Sequence, residues 1–226
     1  MDVNEIFYSV QGEGISIGTP CVFLRLANCN LHCQWCDTKY TWNFPKNSDE
    51  IKPMDSDAVY KELTSFSCKH LVLTGGEPLL NFSEELFMLL SRLKAHGWYI
   101  EVETNGTILP PIKFTKYIDQ WNVSPKLKNS GNEKSLREIP HALEFYSRSP
   151  KSYFKFVIDV QKDIVEVIEL AKKHKIAGNK IILMPQSIDA NELRMKSRWL
   201  IDMCKKYNYR FSPRLHIDIW GNKRKK

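Results

Sequence analysis

Ala27-Asn28-Cys29-Asn30-Leu31-His32-Cys33-Gln34-Trp35-Cys36-Asp37-Thr38 carries three cysteines spaced Cys-x3-Cys-x2-Cys, and its reading decides how the rest of the chain is understood. Three thiolates this close can bind three irons of a 4Fe–4S cube, a cluster that normally takes four cysteine ligands. No fourth cysteine sits nearby, so one iron would stay open to a small molecule. Two other readings fit the same residues. Structural zinc takes four protein ligands, often as two spaced pairs, and His32 would have to serve as the fourth from between two of the cysteines. The three thiols could also be unrelated.

The 226 residues, 42% of them hydrophobic, hold enough apolar material for one sizeable core, so one domain spanning 1–226 is the expectation. No apolar run has the length of a membrane helix. The opening Met1-Asp2-Val3-Asn4-Glu5 has neither the basic region nor the apolar core of a signal peptide. Six cysteines might mark a secreted disulfide framework, but three lie within eight residues and the chain is too long to need staples. Cys21, Cys68 and Cys204 read as ordinary buried thiols, and a reducing cytoplasm is the consistent compartment. The net charge of +7 raises the question of nucleic acid. Lys223, Arg224, Lys225 and Lys226 supply four of those charges, leaving +3 over the other 222 residues. They read as a solvated tail, so no nucleic-acid partner is expected.

Working outward from the cysteines, strand-like and helix-like segments alternate. Cys21 to Leu26 is a strand that feeds the cysteine loop. Asp55 to Phe66 reads as a helix and His70 to Leu73 as a strand. Ser83 to His96 is a helix with Leu86, Leu89, Leu90 and Leu93 on one stripe, Glu84 and Glu85 in its first turn and Gly97 as its stop. Strands follow at Trp98–Glu103, Tyr117–Val123 and Tyr153–Ile158, a helix at Asp163–His174, and a strand at Lys180–Met184. Asp189 and Glu192 have capping-box spacing and open a helix to about Lys206. Arg214 to Ile219 alternates as a final strand would. Alternation of this kind implies βαβ units and a parallel sheet. The count is nearer six strands than eight, so an α/β fold of the incomplete-barrel type is expected. Thr74-Gly75-Gly76-Glu77-Pro78, Glu103-Thr104-Asn105-Gly106, Ser124-Pro125-Lys126 and Met184-Pro185-Gln186-Ser187 each directly follow a strand, where parallel barrels gather their active sites.

Gly75 and Gly76 would let backbone approach a ligand, and Glu77 could accept from an ammonium group, although Gly-Gly before Pro is by itself a turn signal. Joined to the three-cysteine loop, the Gly-Gly-Glu-Pro segment resembles the radical S-adenosylmethionine (SAM) superfamily. Narrower features resemble one family within it. These are Tyr8-Ser9-Val10-Gln11-Gly12-Glu13-Gly14, Phe23 to Cys29, Cys36-Asp37-Thr38, Glu103 to Thr107, Ser124-Pro125-Lys126 and the ending Arg214-Leu215-His216 to Lys223. Together they resemble 7-carboxy-7-deazaguanine synthases, radical SAM lyases on a partial (β/α)6-type barrel that serve queuosine-type 7-deazapurine biosynthesis.

The resemblance implies a 4Fe–4S cluster on Cys29, Cys33 and Cys36, with SAM on its open iron. Trp35, Cys36, Asp37, Gly76, Glu77, Glu103, Ser124, Pro125, Lys126, Met184, Pro185, Gln186 and Ser187 would surround SAM. The implied substrate is 6-carboxy-5,6,7,8-tetrahydropterin, rearranged with loss of ammonia, against Val10, Gln11, Gly12, Glu13, Arg25, Thr74 and His216. Glu13 is the right group to accept two N–H bonds from an amidine-like edge, but Gly-Glu-Gly could equally be an exposed hairpin turn. Arg25 among apolar neighbours needs a partner: a substrate carboxylate, or an internal salt bridge. Thr38 would ligate Mg2+, a role that rests on the resemblance because one threonine is a poor magnesium signal. His216 is placed on a strand face with Arg214 and Asp218, as a substrate contact or a structural hydrogen-bonder. A reductant such as flavodoxin and a homodimer are implied as partners. Some family members use a terminal carboxylate on the substrate, and the continuation into Lys-Arg-Lys-Lys puts that contact in doubt here. The alternatives are a glycyl-radical activating enzyme, which needs an open surface, and a basic zinc module that binds RNA, which leaves Gly75-Gly76-Glu77-Pro78 unexplained.

Overall fold

The computed structural model describes residues 1–44 and 49–225. Among these residues nine strands form one sheet: β1 (Asp2–Val10), β2 (Pro20–Leu26), β3 (Lys52–Pro53), β4 (His70–Gly75), β5 (Tyr99–Thr104), β6 (Gln120–Val123), β7 (Ser152–Ile158), β8 (Ile181–Pro185) and β9 (Arg210–Phe211). Their order is β3-β1-β2-β4-β5-β6-β7-β8-β9. From β2 through β9 every pairing is parallel, while β1 lies antiparallel to β2 and β3 antiparallel to β1. The edge strands β3 and β9 do not pair with each other, so the sheet is an open, partial barrel. Six parallel strands plus the two-residue β9 match the expected count, and the N-terminal run adds a strand outside that set.

The helices are α1 (Ser56–Thr64), α2 (Glu84–Ala95), α3 (Ile112–Thr115), α4 (Lys134–Arg137), α5 (Pro140–Arg148), α6 (Asp163–Lys173), α7 (Ala190–Tyr207) and α8 (Leu215–Trp220). The starts of α1, α2 and α7 follow capping chemistry. Asp55 accepts from the Ala58 N–H at 2.8 Å, Ser83 from Leu86 at 3.2 Å and Asp189 from Glu192 at 2.9 Å. Leu86, Leu89, Leu90 and Leu93 of α2 are buried against the sheet as the stripe requires. All of β8 is buried, as parallel strands covered on both faces are. Among the described residues no helix is long and apolar enough to cross a membrane.

Two expectations are corrected. Tyr117 to Val123 is a strand only over Gln120–Val123. Arg214 to Ile219 is not a strand, because β9 already ends the sheet and Leu215–Trp220 is the helix α8. The alternation there reads as period two, but tertiary bonds override it: the Leu215 N–H donates to the Gly12 carbonyl at 2.9 Å and Arg214 is held by three partners across the cavity. His216 and Asp218 therefore share no strand face, and Asp218 is exposed.

Candidate active site

The C-terminal ends of the parallel strands open into one cavity, joined by the end of β1 and by the segment Arg214 to Lys225. Its first corner is the cysteine loop. Asn28, with φ 73°, turns the chain out of β2, and its carbonyl accepts the Glu77 N–H at 2.8 Å. A Cβ on Gly76 would collide with the Asn28 carbonyl and the Cys29 side chain. The glycine thus seats the Gly-Gly loop on the cysteine loop, a packing demand read in the sequence only as ligand approach.

Each sulfur in that corner faces one N–H. The Leu31 main chain donates to Cys29 Sγ at 3.4 Å, Asn132 Nδ2 to Cys33 Sγ at 3.3 Å and Trp42 Nε1 to Cys36 Sγ at 3.4 Å. A neutral thiol is a weak acceptor, so this donor set suits metal-bound, electron-rich sulfur, and the three cysteines fit an iron–sulfur cluster. Burial pushes the Cys29 thiol up to about 11 and raises Cys33 as well, so metal entry would release protons. His32, the fourth zinc ligand considered above, stacks its ring on Trp42 at 4.7 Å between centroids.

Glu13 organises the opposite corner. It pairs with Lys155, with Arg214 Nε at 2.9 Å and with His216 Nε2 at 3.9 Å. Burial alone would favour its neutral form, but Lys155, Arg214 and His216 outweigh that and hold Glu13 well below its usual value. Glu13 is thus an ionised group in the wall of the cavity, which excludes the simple exposed turn. Arg214 also pairs with Asp37 and donates to the Ser187 carbonyl at 2.6 Å. Gly12 leaves room for His216, since a Cβ there would fall on the imidazole. Burial lowers the His216 pKa more than the Glu13 carboxylate raises it.

A third corner contains Arg25, Glu5, Tyr40 and Arg224. Glu5 is buried and accepts from Arg25 Nε at 3.1 Å, Tyr40 Oη at 3.1 Å and Arg224 Nε at 2.9 Å. The internal salt bridge weighed for Arg25 is therefore present. Arg224 also pairs with Glu50 at 2.8 Å and lies over the Tyr40 ring at 3.8 Å. Lys223, Arg224 and Lys225 are exposed, as a solvated tail is, but they border the cavity, and Arg224 is tied to Glu5 and Glu50 rather than free; Lys226 lies outside the described residues.

The cavity brings together Val10, Gln11, Gly12, Glu13, Arg25, Thr74 and His216 with Cys29, Cys33, Trp35, Cys36, Asp37 and Thr38. Gly76, Glu103, Ser124, Lys126, Met184, Pro185 and Gln186 complete its lining from the named set. Thr74 Oγ1 donates to Glu103 at 2.8 Å, and Lys126 Nζ donates to Ser124 Oγ at 3.0 Å while facing the Trp35 ring at 5.6 Å. Three named residues do not reach the cavity. Glu77 is fully buried and accepts from Asn105 N at 2.7 Å, Leu79 N at 3.1 Å and Thr104 Oγ1 at 2.9 Å. With both oxygens used, it ties two loops together, and burial lifts it to about 7 against those three bonds. Pro125 is buried behind the wall. The Ser187 hydroxyl donates to Glu192 at 2.6 Å, which also takes Glu192 away from the reciprocal half of a capping box. Sequence reasoning missed Lys155, Trp42, Tyr40 and Asn132. Only Lys155 carried a signal, a lone lysine between Phe154 and Phe156 on a buried strand.

Thr38 Oγ1 lies 3.6 Å from Cys36 Sγ. Its neighbour Asp37 is engaged by Arg214, so Mg2+ at Thr38 would need oxygens from a ligand to complete its shell.

The Radical SAM superfamily profile matches residues 25–193. A 7-carboxy-7-deazaguanine synthase of Pyrobaculum aerophilum is 38% identical, covering 99% of this chain and 96% of its own. The chain belongs to the 7-carboxy-7-deazaguanine synthase family. A second member of that family, from Halobacterium salinarum, is 33% identical over 98% of this chain and 91% of its own. The crystal structure of QueE from Escherichia coli superposes with a TM-score of 0.74 at 28% identity, covering 95% of this chain and 94% of that one. As a family member the chain is a radical SAM enzyme, and a 4Fe–4S cluster and SAM are its cofactors. The zinc-module and activating-enzyme alternatives are set aside on the same findings.

Proposed function

We propose that the chain converts 6-carboxy-5,6,7,8-tetrahydropterin into 7-carboxy-7-deazaguanine with loss of ammonia; its role lies in 7-deazapurine biosynthesis. The observation that carries the substrate is the presence, in the wall of one cavity beside the cysteine corner, of both an ionised Glu13 and the Arg25 guanidinium. Glu13 accepts two N–H donors from the pterin edge, while Lys155 and Arg214 keep it charged and aimed. Arg25 takes the substrate carboxylate, and Glu5 retains Tyr40 and Arg224 as partners when it yields Arg25. Gln11, Gly12 and Val10 border the ring, Thr74 and His216 add polar contacts, and Thr38 with the substrate carboxylate completes a Mg2+ shell.

Cys29, Cys33 and Cys36 hold the cluster, and Gly76, Glu103, Ser124, Lys126 and Met184 to Gln186 surround SAM. When bound and reduced, those cofactors supply the hydrogen-abstracting radical; the chain's own residues bind, orient and exclude water around it. Glu77, Pro125 and Ser187 support that wall from behind. The reaction is redox-neutral, since substrate and product differ by one ammonia. We further propose a single radical SAM domain, a cytoplasmic setting, a flavodoxin-type reductant and a homodimer. The test of the pocket is anaerobic calorimetry of SAM-loaded protein with the carboxytetrahydropterin and with a tetrahydropterin lacking the carboxylate. The carboxylated ligand should bind at least tenfold tighter, an advantage that Arg25→Ala abolishes. Equal affinities would contradict the assignment.

A further inference from the structure

We propose that Trp42 and Asn132 set the reduction potential of the cluster by donating hydrogen bonds to the sulfurs of Cys36 and Cys33. The inference rests on the reading that these cysteines hold the cluster. Trp42 Nε1 lies 3.4 Å from Cys36 Sγ and Asn132 Nδ2 3.3 Å from Cys33 Sγ. An indole nitrogen can only donate, so the Trp42 contact has one direction.

The Asn132 amide is oriented by its other end. Its Oδ1 accepts the His32 main-chain N–H at 2.9 Å, which turns the Nδ2 group toward Cys33 and Ser130 Oγ. His32 fixes both donors at once, because its ring stacks on the Trp42 indole at 4.7 Å with an interplanar angle of 23°. The two donors come from separate segments, one just after the cysteine loop and one in the β6–β7 connection, and reach the sulfurs from outside the loop.

Hydrogen bonds to ligating sulfurs are among the factors that set the potential of an iron–sulfur cluster. Reduction adds negative charge to the cluster, and an N–H aimed at sulfur stabilises the more negative state. The effect is strengthened where water is excluded, and the Cys33 side chain is buried. Both donors therefore raise the potential and make the cluster easier to reduce. They act through the cysteines, so they are positioning residues.

The test is an EPR-monitored redox titration of anaerobically reconstituted protein, without SAM, in wild type, Trp42→Phe and Asn132→Ala. Phenylalanine keeps an aromatic ring beside His32 and removes the N–H donor together with the smaller ring of the indole. Each variant, at unchanged iron content, should lower the equilibrium constant for reduction roughly three- to tenfold. The tenfold limit is a shift of about 59 mV to more negative potential for one electron. Unmoved potentials in variants that keep their iron would overturn the assignment and leave the family reading intact. Wild type that takes up no iron would overturn both. If a variant loses its iron, ENDOR of wild type exchanged into D2O decides: exchangeable protons coupled to the cluster are expected, and their absence would overturn the proposal.

Discussion

Replacing Glu13 by glutamine keeps the shape of the side chain and removes the charge on which Lys155 and Arg214 converge. The two cations are not left equally exposed to the loss. Arg214 keeps Asp37 and the Ser187 carbonyl, whereas Lys155, only 8% exposed, loses the carboxylate that neutralises it. Removing one partner of a buried ion pair costs about 3–5 kcal/mol, and the partners retained by Arg214 place this case near the lower figure. For a chain of this size about 3 kcal/mol lowers Tm by roughly 6–12 °C. The pH dependence has a definite sign. The folded-state value of Glu13 lies well below its ordinary 4.5, so its contribution is fully present above that value and is lost as pH falls through the folded one. Thermal unfolding of cluster-free, reduced protein should therefore show a constant gap between wild type and Glu13→Gln from about pH 6 to 8, narrowing in acid. Adding Lys155→Met should recover part of the loss by removing the orphaned charge. A gap below about 1 kcal/mol, or one undiminished at low pH, would refute the reasoning.

Gly76→Ala drives a Cβ into the Asn28 carbonyl and the Cys29 side chain, so iron uptake after anaerobic reconstitution should fall severalfold while far-ultraviolet dichroism is kept. Mg2+ and substrate should bind with positive coupling, each tightening the other by the same factor; calorimetry should find that coupling reduced in Thr38→Ala with SAM affinity unchanged. Arg224→Ala frees Glu5 to hold Arg25 more tightly and removes the tail from Tyr40 and Glu50. Steady-state kinetics should show KM for the pterin raised several-fold with kcat little changed.

The parts of the site legible in the sequence are those whose chemistry is local. Cys29, Cys33 and Cys36 announce themselves by spacing, and Gly75-Gly76 by the close backbone approach that glycines permit, so the cluster corner and the loops at the strand ends are legible without the fold. The motif assigns Glu77 to the cavity, yet the donors that use up its oxygens come from Leu79, Thr104 and Asn105, two of them at the C-terminal end of β5, which sequence distance hides. Arg214 to Ile219 alternates as a strand does, although it forms α8; the ion pairs of Arg214 with Glu13 and Asp37, 201 and 177 residues away, are long-range and decide its conformation. The tail misled for a related reason. A run of basic residues at a chain end has the composition of a solvated segment, and its sequence gives no sign of the Glu5, Glu50 and Tyr40 contacts that engage Arg224.

Anaerobic incubation of reconstituted protein with SAM, reductant, Mg2+ and 6-carboxy-5,6,7,8-tetrahydropterin, followed by mass analysis, tests the central claim most directly. Wild type should yield 7-carboxy-7-deazaguanine, lighter than the substrate by one ammonia, and Cys36→Ala should yield none. Protein that carries its full iron complement and binds SAM, yet returns the carboxytetrahydropterin unchanged, would contradict it.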